Sequence, residues 1–194
     1  MLKNLKIVHF FVAILAAFWV AFLCLALLAW GAMNQSKDDL RVLHDERMTK
    51  SERLAQVTQE AISNRMEILL MFQHDPANPV HSVHDHGLEV HLEQLARRKA
   101  LIDQAWSAIE AGPQDPEEPA LMARALETRK AWLGQVDLAV QAIRAGRFEP
   151  AVMAAFLKAG RQENEAFLQA LAALRQHQIA QADATAAQIG RAHV

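Results

Sequence analysis

The chain has 194 residues with 20 Lys+Arg against 22 Asp+Glu, so it carries no basic excess of the kind a nucleic-acid surface needs. Its single cysteine, Cys24, lies in an apolar stretch, which excludes a disulfide framework, a thiolate metal site and a C-x-x-C-H haem attachment elsewhere. Tyrosine is absent, and no nucleophile elbow, P-loop, GxGxxG or HExxH occurs, so nothing supports an enzyme.

From Phe10 to Met33 the sequence is uncharged, and at 1.5 Å per helical residue this run reaches roughly 36 Å, enough to cross a hydrocarbon core of about 30 Å. The run exceeds the 7 to 15 or so residues of a secretory h-region, and Trp30 interrupts any small-x-small cleavage site after Ala29. It therefore reads as an uncleaved anchor. Lys3 and Lys6 precede it, so the positive-inside rule places residues 1–9 in the cytoplasm, 10–33 in a bacterial inner membrane, and 34–194 outside, in the periplasm. No Pro or turn cluster separates the apolar run from the charged, periodic segment that follows, which predicts a single rod through the interface.

Beyond the anchor, apolar residues recur at spacings of three and four through four segments, with Gly and Pro clusters only between them. The first, about 34–74, carries Leu40, Leu43, Leu54, Val57, Ala61, Ile68 and Phe72, and ends at "HDPANP". The second, about 87–111, carries Leu88, Leu92, Leu95, Ile102, Ala105 and Ile109, and stops at "GPQDPEEP". A third, about 118–145, carries Met122, Leu126, Leu133, Val136, Val140 and Ile143, and ends at Gly146. A fourth, about 149–192, carries Met153, Phe156, Phe167, Leu171 and Leu174. Short connections favour antiparallel neighbours, so the expected fold is all-α, a membrane-anchored up-down-up-down four-helix bundle.

A basic "MLKNLKI", an anchor running into the first long helix, "AISNRMEILL" late in that helix, and a Gln/Ala-rich "LRQHQIAQADATAAQIGRAHV" at the end together carry a family likeness. The chain resembles the sensory region of bacterial methyl-accepting chemotaxis receptors whose periplasmic ligand-binding domain is a four-helix bundle, such as the aspartate and serine receptors. The resemblance implies a homodimer that detects a small solute and passes a helix displacement across the membrane. In that family a second span, a HAMP linker and a methylated coiled coil follow; here the sequence given ends at Val194 while still helical, so a cytoplasmic kinase and adaptor are reached only through a region absent from it. Two other readings stand beside this one: a membrane-tethered periplasmic metal-binding bundle, and the input domain of a sensor histidine kinase.

Two constellations offer chemistry. Arg65 interrupts the apolar stripe between Ala61 and Ile68, where a guanidinium needs an anion or a hydrogen-bonding partner. Counting from the distal tip sets Arg65 level with Arg98, Val136 and the Gly160–Asn164 segment, where Gly160 and Asn164 also break the stripe. Arg65, Asn164, Arg98 and Arg161 are thus the candidate site for a small anionic ligand, bidentate recognition of carboxylate being the strength of Arg. The alternative is a Glu partner or a snorkelling Arg65. The dicarboxylate-binding relatives place several arginines here, whereas "MEILLMFQHD" follows Arg65 with none, which counts against aspartate as the ligand.

The second constellation is "HDPANPVHSVHDHGLEVH" in the distal connection, with His74, His81, His84, His86, His91 and Asp85 as candidate ligands for a divalent transition metal. The spacing matches no closed zinc signature, and capping or solvated-loop roles compete with it. No other cofactor is indicated. His44 and His177 read as surface or interface residues, and Trp106 and Trp132 as core or dimer-contact aromatics.

Overall fold

The computed structural model describes residues 2–41, 47–112 and 114–192, and among these all regular structure is helical. Helix α1 spans Leu2–Arg41. Within it, His9–Asp38 is long and apolar enough to cross a membrane, and none of its apolar stretch is covered by the rest of the protein. Side chains such as Phe11, Trp19 and Leu27 stand open; that much exposed apolar surface calls for a hydrocarbon environment. The helix passes from Met33 into Gln35, Ser36 and Lys37 without a break. The further continuity expected of the rod rests on residues 42–46, outside the described residues, as does His44.

Four helices follow: α2 Thr49–Met71, α3 Leu88–Glu110, α4 Glu118–Arg144 and α5 Pro150–Ala192. Helix α2 stops short of the expected His74 and tightens into a 3₁₀ turn over Phe72–His74. The reason is local: Pro76 disfavours the α conformation at Asp75, whose ψ is 122°. Asp75 then accepts the amide of Ala77 at 2.9 Å, fixing the turn. At the end of α4 the amide of Arg147 donates to Ala142 O and that of Gly146 to Ile143 O, a Schellman closure. It requires φ near +70° at residue 146, which only glycine adopts without strain.

The stripes meet as the periodicity demands. Leu54, Val57, Ala61, Ile68 and Met71 of α2 face Phe156, Phe167, Leu171 and Leu174 of α5, with Trp106 and Ile109 of α3 and Trp132 and Ile143 of α4 closing the core. Each fully buried large aliphatic side chain contributes about 1.5 to 3 kcal/mol. Helix α2 packs along α3 and α5, and α4 along α5, giving an antiparallel bundle of two hairpins joined at the α2–α5 seam. One end holds the α2 and α4 starts together with the α5 segment around Gln178, as the pairs Lys50–Glu118 and Arg47–Gln178 show. The other end holds the α2–α3 connection, over Phe72 and Phe156, whose rings lie 6.2 Å apart.

His177, expected at the surface or an interface, has a side chain only 10% exposed. Its Nε2 lies 2.8 Å from Asp115 Oδ2, and Arg47 holds the same oxygen at 2.9 Å. Asp115 Oδ1 meanwhile accepts the amides of Glu117 and Glu118, so one carboxylate caps α4 and ties it to α5.

Candidate metal centre

The end of α2, the loop and the first turn of α3 converge at the distal tip. Gly87 caps α3 in an extended conformation, which turns His86 back toward His91 one turn inside the helix. The ligand-capable atoms of His74, His84, His86 and His91 all lie within 4.8 Å of one another. A four-coordinate ion with metal–nitrogen bonds near 2.0–2.1 Å requires edges of about 3.3 Å, so a small contraction closes the set.

The hydrogen bonds define which nitrogens are available. His91 Nδ1 donates to Glu67 Oε2 at 2.7 Å, and His86 Nδ1 donates to Asp85 Oδ1 at 2.9 Å. In the neutral rings both Nε2 atoms then carry lone pairs, and these face each other at 3.1 Å. Two lone pairs at that distance repel unless a proton or a cation lies between them. His84 Nε2 binds Gln73 Oε1 at 3.2 Å, leaving its Nδ1 for coordination. His74 Nε2 is buried with no hydrogen-bond partner. Burial, and then the neighbouring imidazoles His84, His91, His86 and His81, hold the His74 pKa below the usual histidine value, which keeps it in the neutral form a metal requires.

Of the six candidate ligands, four come together. His81 is exposed, with its ring centroid 6.4 Å from that of His74, and stays outside the group. Asp85 serves one step back, as the acceptor that orients His86; that hydrogen bond lowers its own pKa. Glu67 and Gln73 play the same supporting part and were missed. Glu67 lies two helical turns before His74, on the same face, which is the signal that would have found it.

The Arg65 layer lies nearer the bundle's middle. A Cβ on Gly160 would lie 2.7 to 2.8 Å from the Arg65 guanidinium, so the missing side chain is what admits it. Arg65 is half-buried, with Nε enclosed and no ion-pair or hydrogen-bond partner among the described residues. Asn164 is buried, its Oδ1 also without a partner. Arg98 is engaged elsewhere, 2.8 Å from Glu60 and 3.5 Å from Glu67. Arg161 is exposed on α5. Trp106 and Trp132 are both core residues.

An apolar N-terminal helix with no protein cover, continued by a helical bundle with enclosed polar sites, defines a membrane-anchored ligand-binding module. The family model described as "Tar ligand binding domain homologue" matches residues 1–182, and the chain belongs to that family, the ligand-binding domains of chemotaxis receptors. Comparison with curated proteins and with solved structures returned no match.

Proposed function

We propose that this chain is the sensory region of a transmembrane chemotaxis receptor whose stimulus is a borderline divalent transition-metal ion, of the zinc, nickel or copper class, bound at the distal tip by His74, His84, His86 and His91. The observation that carries this reading is the pair of Nε2 lone pairs of His86 and His91 turned toward each other, each ring held from behind by a carboxylate. Residues 1–9 lie in the cytoplasm, 10–33 in the inner membrane and 34–194 in the periplasm, where the tip meets solutes farthest from the bilayer. The receptor works as a homodimer, and occupancy biases a small displacement of the long helices that is passed across the membrane.

The test is calorimetric titration of the full chain in nanodiscs, purified without a histidine tag, with zinc, nickel and copper salts. One ion per chain with a raised melting temperature is expected, lost in His86→Ala plus His91→Ala. An unchanged melt with all three metals overturns the reading.

A second stimulus is favoured by Arg65, a half-buried cation with no ion-pair or hydrogen-bond partner among the described residues, and by Asn164, whose buried Oδ1 has none among them either. A small carboxylate, monoanionic rather than aspartate, satisfies the Arg65 guanidinium, and a hydroxyl or amino donor on the same molecule satisfies the Asn164 Oδ1. Titration of wild type against Arg65→Ala tests it, and absence of binding to either removes it.

A further inference from the structure

The two hairpins of the bundle meet along α2 and α5, whereas α3 and α4 make no comparable seam. Leu92 and Leu95 of α3 and Val136 and Val140 of α4 occupy stripe positions, yet all four are only half-buried. They wall a cavity of about 380 Å³ that opens between α3 and α4 and reaches inward to Phe167 of α5 and Asn64 of α2. Its size falls within the range of about 300 to 1,000 Å³ of small-molecule sites.

The polar groups of the cavity lie at opposite ends. At the inner end stands Asn64, whose Oδ1 is buried and has no hydrogen-bond partner. At the mouth stand Lys99, Arg129 and Arg144 against Asp137. Arg129 and Lys99 both pair with Asp103, while Arg144 is exposed and makes no ion pair among the described residues. Apolar walls, the inner amide of Asn64 and the outer Arg144 guanidinium are complementary to one ligand class.

We propose that the α3–α4 cavity is a second binding site, separate from the distal tip and from Arg65, for small aryl carboxylates that carry a hydroxyl or amino donor at the end remote from the carboxylate. The ring lies against Leu95 and Val136, the donor meets the Asn64 amide, and the carboxylate meets Arg144. Occupancy joins α3 to α4 through the ligand and so closes the one open seam of the bundle.

The test is titration of the full chain in nanodiscs with 4-hydroxyphenylacetate, phenylacetate and acetate. Saturable binding in that order of strength is expected, with acetate silent. Loss of the Arg144 charge-assisted contact in Arg144→Glu weakens binding about tenfold or more. Val136→Trp, which fills the space, abolishes it while the zinc titration at the tip and the melting temperature hold. Absence of saturable binding to the wild type overturns the proposal, as does binding that survives Val136→Trp. A Val136→Trp protein that alters oligomeric state, with no aryl carboxylate bound by the wild type, assigns the seam to a second copy of the chain and overturns it equally.

Discussion

Lys50 Nζ and Glu118 Oε1 lie 2.6 Å apart, and their side chains are 3% and 0% exposed. The pair joins the start of α2 to the start of α4, across 68 residues of sequence. Arg47 reaches the other Glu118 oxygen at 3.6 Å, so the carboxylate is held from two sides. Neutralising Glu118 takes the buried counter-charge away from both cations at once.

Glu118→Gln should therefore destabilise the bundle by about 3 to 5 kcal/mol, and the double replacement Lys50→Met with Glu118→Leu should recover much of the loss. Thermal denaturation of the two variants in the same nanodiscs measures it. Equal melting temperatures for wild type and Glu118→Gln would contradict the assignment.

Asp115 gives the bundle an acid limit. Burial raises its pKa, but hydrogen bonds from His177, from the amides of Glu117 and Glu118 and from Arg47 outweigh burial and bring it down to about 2. A carboxyl whose folded pKa lies below its unfolded value stabilises the folded state above the unfolded pKa, and that contribution is lost as pH falls through about 4 toward 2. It is on the order of 2 kcal/mol. Asp115→Asn keeps an α4 cap yet titrates no longer, so its melting temperature should fall less steeply than wild type between pH 4 and pH 2.

Glu67 is the most informative position at the tip, because it accepts from His91 Nδ1 and also faces Arg98 at 3.5 Å. Glu67→Gln should weaken zinc binding by about 10- to 100-fold, the usual loss when the group behind a ligating histidine is changed. His81→Ala should leave affinity where it was. Competition titration against a chromogenic chelator reads both. Equal losses in the two variants would mean a diffuse histidine patch in place of an ordered site.

Gly160 tests the Arg65 layer without disturbing the fold. In Gly160→Ala the new methyl meets the end of a flexible side chain, so Arg65 shifts while the helix gains about 1 kcal/mol of intrinsic propensity. The melting temperature should hold or rise, and any carboxylate-induced shift of it should shrink. A fall of several degrees without ligand would show that the layer is structural.

Helical periodicity carried most of this architecture, because stripe residues such as Leu54, Ile68, Phe156 and Leu174 have one face on which they can be dry. Gly146 was legible as a stop because its φ admits little else. The candidate ligands were legible by residue type, since imidazoles crowd the sequence around His84. Their grouping was not, because it depends on the loop bringing His84 and His86 to His74 and His91, and on Glu67 arriving from another helix. Spacing along a strand of text holds no record of the helix beside it. The same limit hid the open α3–α4 seam: Leu92 and Val136 read as core, and only the packing leaves them facing a cavity.

Helix α5 passes the Arg65 layer, the α3–α4 cavity and the Arg47 contact as a single 43-residue element. Gly160 receives Arg65, Phe167 backs the α3–α4 cavity, and Gln178 meets Arg47. A helix is far stiffer along its axis than the packing around it, so a push at any of these heights moves all of them by nearly the same amount. On the proposed reading, stimuli of unlike chemistry would reduce to one scalar, and the bundle would act as an adder with several keys and a single output shaft.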